Sequence, residues 1–210
     1  MSGHTRKTVV LSSYYSKARG RDLWTQARVW QCARATAAAT TFFEPITISN
    51  EQFLDGALGA NNPVQVLAKE ARNIWGTGEK WRLEDNLRCL VSIGTGVPSI
   101  EEFGKSIPQV ADSLVKIATD CDDVHQAFMA DHPEMCKQGE ARLYYRFSVP
   151  RGMGDIGLES TEKIGAIIAT TRLYLSLDEV GRELDWASQR LDAGQYKEAS
   201  MLQNLVEDYS

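Results

Sequence analysis

Apolar positions along the chain follow two patterns, short near-continuous runs and steps of three or four, and their order predicts strands interleaved with helices. Residues 9–15, led by Val9, Val10 and Leu11, read as a strand, and 17–21 as a charged turn around Gly20. Asp22 is placed to cap a helix over 23–39, with Leu23, Ala27, Trp30 and Arg34 on one face and Ala37 extending it. Pro45 ends that region, and 46–54 reads as extended with a turn at Asn50. The stretch 55–60 carries Gly56 and Gly59 and reads as a loop.

Asn61-Asn62-Pro63 is the clearest boundary, with Asn62 as N-cap and Pro63 at the first helical position. Val64, Leu67, Ala68, Ala71 and Ile74 form the helical stripe that follows, ending near Trp75 and Gly76. After a polar stretch over 77–86, residues 87–93 form a near-continuous apolar run broken by Arg88, as in a buried parallel strand, closed by Gly94-Thr95-Gly96. Val110, Leu114, Ile117, Cys121, Val124 and Phe128 step at helical spacing. Leu143, Tyr145, Phe147 and Val149 alternate with polar neighbours, predicting a strand with one buried face. Gly152, Gly154 and Gly157 mark a loop before a helix over 159–177, with Ile164, Ile167, Ile168 and Leu175 inward. The charged remainder, 178–210, is expected to close with a helix carrying Ala199, Leu202 and Val206. The class is α/β.

The 210 residues suffice for one domain, and 43% hydrophobic residues can fill a core. The formal net charge of -5 argues against nucleic acid as a partner. Apolar runs are a few residues long, against the ~20 a membrane-spanning helix needs. The polar start through Lys7 leads only into Val9-Val10-Leu11, so no signal peptide is expected. Four unevenly placed cysteines are not a disulfide scaffold, and the expectation is a reduced, cytoplasmic chain.

Asp55 follows Phe53-Leu54 and precedes Gly56, where a carboxylate can be held rigidly yet exposed. The helix start just after it adds a polarised N-terminus to the same neighbourhood. An ordinary Asp-Gly turn is the simpler account of these residues by themselves. Cys121-x-x-x-His125 and His132-x-x-x-Cys136 depart from finger spacing, so a core cysteine and surface histidines are expected rather than zinc. The glycines at 94–96 and 152–157 lack Walker or dinucleotide patterning, so no cofactor is expected. Arg142, Arg146 and Arg151 read as a solvated face, with lipid headgroups as the alternative.

The segment from Phe53 through Asp55-Gly56-Ala57 to Asn61-Asn62-Pro63 resembles the Asp-Gly-Gly/Ala region of patatin-like phospholipases. The upstream stretch 34–43 is similar to that family's Ala-Ser-Ala-Ala-Pro segment, and Ser92-Ile93-Gly94-Thr95-Gly96 to its Ser-Leu-Gly-Thr-Gly strand end. Residues 144–150 and 154–158 look like later parts of fungal members, so the likeness runs from Val9 to Leu177. The resemblance implies a mixed or mostly parallel sheet flanked by helices, and hydrolysis of lipid esters by a Ser-Asp dyad without histidine. It implies that Asp55 is the dyad aspartate, that Gly56 and Ala57 leave room beside it, and that Asn61, Asn62 and Pro63 support the motif.

The family's serine lies in Gly-x-Ser-x-Gly, and this sequence contains none; Ser92 is preceded by Leu90 rather than Gly. No glycine-rich oxyanion loop precedes residue 9 either. Residues 1–178 are therefore expected to be the carboxy-terminal part of such a domain, incomplete relative to the family, with 179–210 a helical extension. Three readings follow. The chain is a piece of an active enzyme, or a non-catalytic lipid-binding or interaction module, or it takes its serine half from a partner. Missing strands would bare a sheet edge and apolar surface, so a homodimer or complementing partner is expected, with peripheral membrane contact allowed.

Overall fold

The computed structural model describes residues 1–3, 5, 7–15, 22–39, 42–76, 78–96, 121–153, 156–157 and 160–192. The predicted turn at 17–21, most of the 110–128 helix, Gly154 and the closing helix near 199–206 lie outside them. The chain divides into two compact units, 1–76 with 101–125, and 77–100 with 126–210. Among the described residues, helices alternate with one antiparallel and one parallel strand pair, so the fold is mixed α/β.

In the first unit, α1 (Asp22–Gln26) and α2 (Val29–Thr36) replace the single helix expected over 23–39. The break has a local cause. Arg28 is extended, and its N–H donates to Gln31 Oε1 at 2.9 Å, so α2 starts afresh with its own cap. The restart rotates the helix, burying Ala35 and leaving Trp30 exposed, contrary to the predicted face.

β1 (Ile46–Ile48) and β2 (Glu51–Phe53) form a hairpin in the register Ile46↔Phe53. Its two loop residues, Ser49 and Asn50, both have positive φ, 51° and 66°, which matches the right-handed twist of the strands. Gly3 donates to the Gln52 carbonyl at 2.7 Å and Leu54 to the Met1 carbonyl at 2.9 Å, so the first residues line the outer edge of β2. Ala35, Ile48 and Phe53 make the buried core, with Val9, Leu11 and Leu23 packed against it. Residues 9–15 are therefore not the strand expected: they dock by side chains, with no ladder partner among the described residues.

α3 (Ala57–Ala60) occupies what reads as a loop, because Gly56 has an ordinary φ of -80° and opens a helical turn. α4 (Val64–Trp75) begins one residue later than expected, with Pro63 at the cap, and ends at Gly76 as anticipated. Its buried face includes Glu70 beside Val64 and Ala71, while Leu67 is exposed.

In the second unit α5 (Leu83–Asn86) precedes β3 (Leu90–Ile93), which pairs in parallel with β4 (Tyr144–Phe147) in the register Leu90↔Tyr144. The parallel reading holds, but the burial does not: Ile93 is 82% exposed. On β4 both Tyr144 and Tyr145 are buried, so strict alternation fails. Phe128 of α6 (Cys121–Asp131) packs on the Tyr144 ring at 4.8 Å. α8 (Asp178–Asp192) covers the Tyr145 side, where Val180 and Ala187 are buried. Covered on both faces, the strand buries consecutive residues.

α7 (Ile164–Leu175) confirms a helix there, but Ile164, Ile168 and Leu175 are exposed rather than inward. Among the described residues no helix is long and apolar enough to cross a membrane.

Candidate functional site

The site is built in the first unit, where β2 runs out. The Asp55 N–H donates to the Ala38 carbonyl at 3.0 Å, pinning the backbone to the end of the α2 segment. Its Oδ1 accepts the Ala57 N–H at 2.8 Å, the side-chain-to-backbone bond of an Asp-Gly turn. That bond fixes the carboxylate while the missing Cβ of Gly56 leaves open space, with nothing within 4 Å of where it would stand.

Asp55 lines a groove of about 740 Å³, together with Gly56, Ala57, Asn61 and Pro63. The groove walls are mainly apolar, including Val9, Leu11 and Val29. An apolar cleft with one fixed carboxylate is the form expected of a site for a mostly hydrocarbon ligand. Five of the six residues singled out in the sequence thus meet here. Asn62 does not line the groove and serves as an anchor. It is buried, its Nδ2 donates to the Cys121 carbonyl at 3.1 Å, and its Oδ1 accepts the Val64 N–H at 3.4 Å.

Sequence reasoning missed the opposite wall, where α2 contributes Cys32, Ala33 and Thr36. No periodicity could have marked them, because the face α2 turns inward is set by the break at Arg28.

Other candidates lie elsewhere. Ser92 is inside β3, where its hydroxyl accepts from Arg146 Nη1 at 2.7 Å, so it is a strand residue rather than a nucleophile on an elbow. The His132 ring lies tilted against Phe128, 4.6 Å between centroids, and stands 3.9 Å from Glu84 Oε2. Burial pushes the Glu84 carboxyl up, but its backbone hydrogen bond and Arg82 outweigh that and leave it below the usual carboxylate range. Burial pushes the Cys136 thiol up, against the pull of Arg142. Among the described residues no three His, Cys, Asp or Glu side chains are grouped to hold a metal ion.

Residues 2–68 match the patatin-like phospholipase family. All six motif residues, Asp55 through Pro63, fall inside that match. The chain is also similar to curated phospholipases. Over 105 residues, 48% of this chain, it is 30% identical to calcium-independent phospholipase A2-gamma of Rattus norvegicus, covering 12% of that protein. It is 30% identical to phospholipase A I of Arabidopsis thaliana over 102 residues, covering 48% of this chain and 7% of that one. Patatin-like phospholipase 1 of Plasmodium falciparum is 28% identical over 152 residues, which is 64% of this chain and 22% of the relative. The chain therefore spans less than a quarter of the length of each of these relatives. No solved structure gives a significant match.

Proposed function

We propose that this chain carries the aspartate-bearing part of a patatin-like lipid acyl hydrolase of the fungal type, and that it does not hydrolyse lipid esters by itself. The observation that carries this reading is Asp55, held by the Ala57 amide on the rim of an apolar groove within the stretch that matches the family. In the complete site Asp55 accepts the proton from a serine hydroxyl as the serine oxygen bonds to the ester carbonyl carbon. It returns that proton to the departing alcohol, and water then releases the acid by the same steps. Gly56 and Ala57 leave room for the serine, and Asn61, Asn62 and Pro63 hold the loop. Residues 1–178 carry this part of the domain, and 179–210 form an extension.

A carboxylate without nucleophile and oxyanion donors lacks both covalent catalysis and most transition-state stabilisation. The serine half comes from another polypeptide or another part of a longer one, and lipid or ester substrate binds once it is in place. Exposed Val29 and Trp30, on the helix that walls the groove, are suited to such a partner or to a second copy. The same surface favours a second reading, a non-catalytic lipid-binding or interaction module.

The test is complementation. The chain is mixed with a polypeptide carrying the Gly-x-Ser-x-Gly half of a relative, and phospholipid hydrolysis is followed. Turnover that needs both parts and disappears with Asp55→Asn supports the hydrolase reading. Stable association of the two parts without turnover favours the module.

A further inference from the structure

The two strands of the parallel pair are packed very differently. Parallel strands are almost always interior, covered on both faces, and this is why they read as apolar runs. β3 has that composition, Leu-Val-Ser-Ile, yet none of its four residues is buried and Ile93 is 82% exposed. Its neighbour β4 buries Tyr144 and Tyr145.

The main chain shows the same asymmetry. The Leu90 N–H donates to the Leu143 carbonyl at 2.7 Å, and the Gly94 N–H to the Phe147 carbonyl at 2.8 Å. Alternate residues of β3 therefore turn their N–H and C=O toward β4, and those of Val91 and Ile93 turn away from it. Among the described residues, neither Val91 nor Ile93 makes a hydrogen bond on that outer side.

Open edges are normally blunted by lysine, proline, a bulge or a covering segment. β3 contains no lysine or proline, and its register runs without a bulge from Leu90↔Tyr144 to Ile93↔Phe147. It is an edge with the sequence of an interior strand.

We propose that the outer edge of β3 is an interaction surface that takes one further strand, parallel to β3 and supplied by the serine-bearing polypeptide. The occupant is a strand because only extended main chain offers donors and acceptors at the spacing that Val91 and Ile93 present. It runs parallel because it extends a parallel pair, and sheets of one kind are favoured over mixed ones. A second copy joined edge to edge by a two-fold axis would pair antiparallel instead. The incoming segment is rich in β-branched apolar residues, since its side chains share the two faces of the sheet with Val91 and Ile93. The proposal rests on the hydrolase reading only for the supplier of the strand; the open edge itself lies in the second unit and is independent of Asp55.

The test uses the whole chain and, as probe, a polypeptide carrying the Gly-x-Ser-x-Gly half of a relative. Residue-resolved amide exchange is followed with and without the probe. In the chain alone the Val91 and Ile93 amides should exchange fast beside protected Leu90 and Gly94, and the probe should protect both. Ile93→Pro removes an N–H that bonds to nothing in the chain alone, so it should fold, as circular dichroism checks, yet weaken association at least about tenfold. Leu173→Lys, at an exposed apolar position on α7, should leave association unchanged. Val91 and Ile93 amides that stay unprotected on mixing overturn the proposal. So does protection that appears when the chain alone is concentrated, which identifies a second copy, or an equal loss of association in L173K. Protection without lipid turnover upholds the edge and counts against the hydrolase reading alone; turnover with both amides unprotected does the reverse.

Discussion

Tyr14 and Glu70, 56 residues apart in sequence, meet through a hydroxyl-to-carboxylate hydrogen bond of 2.6 Å. The bond ties the irregular segment bearing Val9 and Leu11 to the buried face of α4, and so fixes one wall of the Asp55 groove against the helix that follows it. A hydrogen bond to a charged group contributes about 1.5–3 kcal/mol. Tyr14→Phe should lower the urea midpoint of the chain accordingly. A midpoint equal to the wild type would show that α4 and the segment are held by other contacts.

Two glycines should respond in opposite directions to alanine. At Gly94 the added Cβ meets Ser148 Cβ at 2.8 Å as well as the polar groups around it, and overpacking of this kind costs about 1–3 kcal/mol. Gly165 lies inside α7 with nothing within 4 Å of a built Cβ, so Gly165→Ala should add about 0.5–1 kcal/mol through helix propensity. Thermal melts of both variants check the pair, and a stabilised Gly94→Ala would contradict the packing at the end of β3.

Alkaline pH should destabilise the fold. Burial pushes up the thiols of Cys89 and Cys136, with Arg190 and Arg142 respectively pulling the other way. Burial also pushes up the phenols of Tyr144, Tyr145 and Tyr174. Each group keeps its proton in the fold at a pH where the unfolded chain has released it, so the unfolded state binds fewer protons and stability falls as pH rises. The contribution is complete below the ordinary values, about 8.5 for cysteine and about 10 for tyrosine, and is lost as pH climbs through the raised ones. Urea midpoints measured at pH about 7.5 and about 10.5 should therefore decrease. A midpoint that rises over this interval would contradict the burial of these groups.

The parts of the fold legible in the sequence are those fixed by local chemistry. Asn50 between extended residues announces the hairpin, Asn62-Pro63 announces α4 within one residue, and the apolar run ending in Gly94 announces a parallel strand. What escaped depends on neighbours. Apolar spacing at 9–11 suits a strand or a docked coil equally, and only the absence of a ladder partner among the described residues decides it. The face of α2 depends on one bond from Arg28 to Gln31, which periodicity does not register. Alternation at β4 fails because Phe128 and α8 cover opposite faces, an override of local pattern by packing. At the site, Asp55 was legible through the motif it resembles, whereas Cys32 and Thr36 were not, since they belong to the wall that the α2 break creates.

The central claim is that Asp55 supplies half of a dyad whose serine this chain lacks. It is tested most directly by assaying the chain alone, with Asp55→Asn beside it, on a short-chain aryl ester and on a phospholipid. The account predicts no turnover above that of the D55N protein on either substrate. Robust turnover by the chain alone that D55N abolishes would contradict it, because a nucleophile and oxyanion donors would then have to reside among these 210 residues.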